Sequence, residues 1–241
     1  MCWSTHNNGK HANETLADAI NNSCNPIFVD IALSLGKSTF YSYVNSFGYG
    51  KATGIDLPGE AQGMVIPEQA VKNADLARIS FGQAIACTPL QLVMATCSAI
   101  NGGNLYSPYL VKEVYSNSQA LSVKTQPKKI ATTIDKQTSE KIKGYLEQVV
   151  ALGSGKQAYI EGYRVGGKTG TAQKYKDGVI NQGKYVMSFI GFFPADKPEY
   201  LCLVIVDEPV GGTYGSTVAA PLCKKVFERI INAKGILPNE T

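Results

Sequence analysis

The 241-residue chain is 44% hydrophobic and 17% charged, with a formal net charge of +4; this excludes the low-hydrophobicity, high-charge composition of a disordered protein. The length fits a single α/β domain with a sizeable core. The lysines are spread along the chain instead of forming a block, so no nucleic-acid partner is expected.

The chain opens with Met1-Cys2-Trp3 and a polar stretch, which reads as an engineered or truncated boundary. Residues 1–25 lack a basic segment followed by an apolar run, and no apolar stretch reaches the ~18 residues that span a bilayer, so no targeting or membrane segment is expected. A short helix is predicted over Glu14 to Ile20, with Leu16, Ala19 and Ile20 on one face, breaking at Asn21-Asn22-Ser23. A second follows, with Asn25 as N-cap, Pro26 at the first helical position, an apolar stripe of Phe28, Ile31 and Leu35, and Gly36 as the stop. Gly48 to Gly63 reads as an irregular loop. Thr88-Pro89-Leu90-Gln91 is a capping box that starts a third helix, with Val93, Cys97 and Ile100 inward and Asn101-Gly102-Gly103 ending it. A fourth helix runs from Lys136 to Leu152, with Ile142, Tyr145, Leu146 and Val149 inward. The period then changes. Strands are predicted at Tyr163–Tyr175, Tyr185–Phe193 and Tyr200–Val206, separated by turns at Lys176-Asp177-Gly178 and Pro194-Ala195-Asp196. A last helix, Thr217 to Ala233, presents Ala219, Leu222, Val226 and Ile230, and Gly235 caps it. Short connections favour an antiparallel sheet, and the order implies an α/β fold of α+β type, with helices flanking the sheet.

Six cysteines (Cys2, Cys24, Cys87, Cys97, Cys202, Cys223) form no CxxC pair, and most are expected as buried free thiols. Cys2, His6 and His11 lie close together but lack the paired spacing of a closed site, so neither a metal nor a cofactor is expected.

Lys168-Thr169-Gly170-Thr171 lies on the first predicted strand. An ammonium, two hydroxyls and a glycine along one strand edge suit an extended peptide with a terminal carboxylate, although alone they equally describe a solvated strand of small residues. Ser23-Cys24-Asn25 sits at the helix-to-helix corner, where Ser and Asn are most often caps.

Ser-x-Asn and Lys-Thr-Gly are two of three elements, with a Ser-x-x-Lys nucleophile, that mark penicillin-binding proteins and serine β-lactamases. The resemblance extends further. Cys2-Trp3, Ala19 to Pro26, Thr53-Gly54-Ile55-Asp56-Leu57-Pro58-Gly59-Glu60, Ser80 to Gln83, Thr88 to Leu92, Gly162 to Gln173, Ser188 to Gly191 and Val218 to Pro221 all resemble class B penicillin-binding proteins, the monofunctional transpeptidases of septal, elongation or spore-cortex peptidoglycan synthesis. Residues 1–241 are therefore expected to form one partial transpeptidase domain of the penicillin-binding protein and serine β-lactamase-like fold, missing its N-terminal part. No Ser-x-x-Lys occurs among the residues before Ser23. Its only occurrence, Ser34-Leu35-Gly36-Lys37, follows the Ser-x-Asn element at a helix end and is rejected as a nucleophile.

The resemblance implies acyl transfer from the D-Ala-D-Ala end of a stem peptide, with β-lactams acylating the same serine. Ser23 would relay a proton, Asn25 would hold substrate backbone and Lys168 would shape the field. Thr169, Gly170 and Thr171 would bind the carboxylate end, with the Thr171 N–H as an oxyanion donor. Without a nucleophile this chain alone is expected to be inactive. A serine β-lactamase or D,D-carboxypeptidase and a non-catalytic β-lactam-binding sensor are the alternatives. The resemblance places the parent on the extracytoplasmic face of the bacterial cell membrane. It also implies that two of five sheet strands precede this chain, so self-association through an uncovered sheet edge, with Leu222 and Val226 exposed, is expected.

Overall fold

A computed structural model describes residues 14–118, 120–176, 179–211 and 214–238. Cys2, His6, His11 and the turn residues Asp177 and Gly178 lie outside them. Three strands carry the architecture: β5 (Gly166–Lys176), β6 (Val179–Phe193) and β7 (Tyr200–Asp207) form an antiparallel meander in the order β5-β6-β7. Strand parity sends successive side chains to opposite faces. Phe189 and Phe193 on β6 meet Cys223, Phe227 and Ile231 of α8 (Ala220–Lys234). Phe192 goes to the other face, joining Ile100 of α5 (Pro89–Ile100) and Leu146 of α6 (Lys136–Ala151). Helices thus flank both faces of the sheet.

The N-terminal helices build a second core. α2 (Asn25–Leu35), α3 (Lys37–Ser46) and α4 (Asn73–Ile79) gather Ala32, Tyr41, Leu76 and Ile79 around Val71, and the Tyr41 hydroxyl donates to the Ile66 carbonyl at 2.7 Å. The irregular segment between α3 and α4 is fixed by polar ties. The Glu60 carboxylate accepts from the Thr53 N–H at 2.7 Å and the Gly54 N–H at 3.0 Å. Asp56 accepts from the Leu110 and Val111 N–H groups at 2.7 and 2.8 Å, anchoring two short ribbons, β1 (Asn104–Tyr106) with β4 (Lys129–Thr132) and β2 (Glu113–Tyr115) with β3 (Leu121–Lys124).

Several sequence expectations are corrected in detail. The N-cap of α2 is Cys24, and Asn25 is already helical; Pro26 at the second position is tolerated because first-turn N–H groups have no intrahelical acceptor to lose. On α5 the buried stripe is Gln91, Ala95, Ser98 and Ile100, with Val93 and Cys97 only half-buried. The buried Gln91 is affordable because its amide donates to the Lys51 and Gln62 carbonyls at 2.7 and 2.9 Å while its oxygen accepts from the Thr88 N–H. On α8 the covered stripe is Ala220, Cys223, Phe227 and Ile231; Leu222 and Val226 are 43% and 40% exposed. Ile31 and Leu35 on α2 are exposed as well, so the stripe read there is not a buried one. Of the five described cysteines only Cys24 and Cys223 are buried.

Candidate active site

Ser23 and Asn25 stand at the corner between α1 (Leu16–Asn22) and α2. Thr15 and Asp18 close a capping box at the start of α1. At its end the Cys24 N–H bonds the Ala19 carbonyl at 2.9 Å and the Ser23 N–H bonds the Ile20 carbonyl at 3.3 Å, the paired bonds of a Schellman motif. That motif puts Ser23 in the left-handed region, at φ 53°, a conformation usually left to glycine. A serine held there signals a hydroxyl with a task beyond capping.

The hydroxyl meets β5: Lys168 Nζ, 145 residues away in sequence, donates to Ser23 Oγ and reaches the Thr169 carbonyl at 3.3 Å. Lys168 is half-buried, and desolvation lowers the pKa of its ammonium to about 8. Among the described residues no carboxylate forms an ion pair with it. A cation placed this way stays mostly protonated at neutral pH, yet yields a proton far more readily than a surface lysine.

Parity sets the rest of the strand. Lys168 and Gly170 pair with Ile190 and Ser188 across β6, whereas Thr169 and Thr171 pair with Phe189 and Met187, so the ammonium and the hydroxyls leave from opposite faces of β5. Lys168, Thr169 and Thr171 all lie on β5, the strand at the end of the sheet, whose outer edge is unpaired among the described residues. The Thr171 hydroxyl accepts from the Gly215 N–H at 3.2 Å, which leaves its own proton for an incoming acceptor. Thr169 Oγ1 shares a hydrogen bond with Ser154 Oγ at 3.3 Å, and the Ser154 N–H donates to the Asn21 carbonyl of α1 at 3.2 Å. Ser154 therefore links the helix end that carries Ser23 to the strand that carries Lys168.

Two glycines admit this packing. A Cβ on Gly170 would lie 2.4 Å from Ser188 Oγ, and one on Gly215, at the start of α7 (Gly215–Val218), would lie 2.4 and 2.5 Å from the Gly170 and Ser188 carbonyl oxygens. Sequence reasoning singled out Ser23, Asn25 and Lys168 to Thr171, and the structure brings Ser23 and Lys168 into contact, with Asn25 in the first turn of α2. It passed over Gly215, which acts through a backbone N–H, and took Ser154, a serine where the resembled family commonly has threonine, as lying away from the site, whereas its hydroxyl bonds Thr169. Ser34 is exposed in the last turn of α2, and Gly36, at φ 76°, interrupts the helix before Lys37, so Lys37 does not lie below Ser34 on one helix.

Residues 1–228 match the family described as penicillin binding protein transpeptidase domain. The chain is 43% identical to Stage V sporulation protein D of Bacillus subtilis (strain 168), over 99% of this chain and 37% of that protein. It is 28% identical to Peptidoglycan D,D-transpeptidase FtsI of Escherichia coli (strain K12), over 95% of this chain and 38% of that one. Penicillin binding protein 3 of Mycobacterium tuberculosis, crystallised in complex with ampicillin, superposes with a TM-score of 0.86 at 25% identity, over 94% of this chain and 52% of that chain. The transpeptidase domain of penicillin-binding protein 3 from Burkholderia pseudomallei gives 0.82 at 27% identity, over 94% and 66%. The chain thus spans well under half the length of the two sequence relatives.

Proposed function

The chain belongs to the penicillin-binding protein transpeptidase domain family, and from that premise we propose that residues 1–241 are part of a peptidoglycan D,D-transpeptidase that cross-links stem peptides by acyl transfer from D-Ala-D-Ala and binds β-lactams. The observation that carries the reading is the contact between the desolvated Lys168 ammonium and the Ser23 hydroxyl beside the open edge of β5. An extended peptide laid along that edge would pair its backbone with the strand and pass its terminal carboxylate to the hydroxyls of Thr169 and Thr171, with Gly170 leaving room for its approach. Ser23, its proton mobile beside a lysine of lowered pKa, relays a proton between nucleophile and leaving amine. Asn25 offers its amide to substrate backbone, and the Thr171 N–H stabilises the developing oxyanion. The nucleophilic serine of the Ser-x-x-Lys element belongs to a preceding segment, so residues 1–241 form a partial domain and bind without turning over. The parent acts at the extracytoplasmic face of the cell membrane; no described helix of this chain is long and apolar enough to cross one.

Titrating the isotopically labelled chain with an acyl-D-Ala-D-Ala peptide should perturb the amides of residues 23–25 and 168–171, and the perturbation should vanish in Lys168→Ala. Perturbations confined to another surface would sink the reading. Incubation with benzylpenicillin should leave the intact mass unchanged, whereas an adduct on Ser34 would restore that serine as nucleophile. The outer edge of β7 and the exposed Leu222 and Val226 are the surfaces the preceding segment covers; without it they drive self-association. Light scattering that finds a well-behaved monomer counts against that last point.

A further inference from the structure

Cys202 on β7 and Cys223 on α8 approach each other at a place the acyl-transfer site does not use. Cys202 stands directly opposite Gly191 in the β6–β7 register. A Cβ on Gly191 would lie 2.9 Å from Cys223 Sγ, so this sulfur fills the room a side chain at 191 would need and hangs over the Gly191–Cys202 pair. Its S–H donates to the Cys202 carbonyl at 3.9 Å. Cys223 is fully buried and Cys202 half-buried, so one sulfur can be reached from outside while the other waits behind it.

We infer that Cys202 and Cys223 are a dithiol that closes to an intrachain disulfide under oxidising conditions, tying the edge strand to the C-terminal helix. The thiolate forms on Cys202, the more accessible partner: a hydrogen bond from Cys223 lowers its pKa, while the same neighbour and burial push the Cys223 thiol up. With a diazenedicarboxamide oxidant, the Cys202 thiolate adds to the N=N bond and Cys223 then displaces the nitrogen from sulfur. The S–S bond forms as two electrons and two protons reduce N=N to HN–NH. The bridge spans 21 residues. It also holds α7, whose Gly215 N–H engages Thr171.

The test uses the full chain, reduced or treated with diazenedicarboxamide, then blocked and digested with trypsin. Because Lys197 precedes Pro198 and resists cleavage, Tyr185–Lys224 is one peptide holding these two cysteines and no others. Oxidation should cost it the mass of two hydrogens and both blocking groups, and should raise the Tm of the chain by about 5–10 °C. Cys202→Ser, a change at a half-exposed position, should keep the reduced chain's Tm and lose both responses. The inference is overturned if both thiols on that peptide stay open to alkylation after oxidation, if they link to another peptide, or if Cys202→Ser shows the same rise in Tm.

Discussion

Lys168 and Lys174 lie on the same strand and are held in opposite ways. At the site end, Lys168 is desolvated, meets a hydroxyl and is lowered to about 8. At the far end, Lys174 lies 2.8 Å from Glu208 and 3.0 Å from Asp207, Lys184 lies 2.9 Å from Glu208, and Lys174 is raised by Glu208 and then Asp207. Their neighbours explain the contrast. A cation paired with carboxylates fastens strands together and resists losing its proton; one buried beside a hydroxyl costs stability and keeps its proton available.

The largest test of this contrast is steric. Gly215→Ala drives a methyl into two carbonyl oxygens of β5 and β6 and should cost about 2–3 kcal/mol in urea unfolding. Gly183→Ala at the far end meets no atom within 4 Å and carries only its φ of 75°, so it should cost about 1 kcal/mol. Equal losses would mean that the site end is no more tightly packed. The second test removes the cations. Lys168→Met should abolish peptide binding and yet stabilise the chain by about 1–2 kcal/mol at pH 7, since a half-buried, desolvated charge with no carboxylate partner gives way to an apolar side chain of similar shape. Lys174→Met, at the surface, should shift the urea midpoint far less. Destabilisation by Lys168→Met would make the site lysine a structural group like its neighbour.

Titration sharpens the comparison further. Lys168 has a folded pKa of about 8 against 10.5 unfolded, so the unfolded chain binds more protons between these values. The cost is fully present below pH 8, and stability rises with pH from there to about 10.5. Glu208 has the same slope with a favourable charged form: Lys174 and then Lys184 hold it at about 2 against 4.5 unfolded, so its stabilising contribution is present above 4.5 and is lost as pH falls through 2. Side-chain carbon NMR should find both midpoints, and a Lys168 midpoint above 10 would refute the desolvated setting. The smallest effect is ionic. Salt at about 1 M should move the Glu208 midpoint upward and leave Lys168 in place, because screening acts on exposed pairs.

What could be read from sequence follows the range of each interaction. The capping box at Thr88 and Gln91 and the meander after residue 160 are local signals, and both are present. α3 and α4 escaped notice because each buries only two residues, Tyr41 with Val44 and Leu76 with Ile79, too few to set a period. The ribbons between residues 104 and 132 escaped for the opposite reason: Tyr115, Leu121 and Val123 are exposed, so no alternation against a core marks them. Ser23 and Lys168 were found as members of family-like strings, yet nothing local says they touch. Asp56 and Glu60 were seen only as letters in such a string; their role as acceptors for backbone 54 residues or a few residues away emerges from the fold.

The left-handed backbone at Ser23 has a consequence for protein engineering. Glycine, or asparagine, occupies φ 53° at less cost than serine, so a library of this chain screened for heat resistance alone should enrich Ser23→Gly and Ser23→Asn. Each survivor would have exchanged the hydroxyl that meets Lys168 for an easier turn. Thermal selection on this scaffold therefore needs a second, simultaneous screen for ligand binding, or it will breed robust proteins with a vacated helix corner.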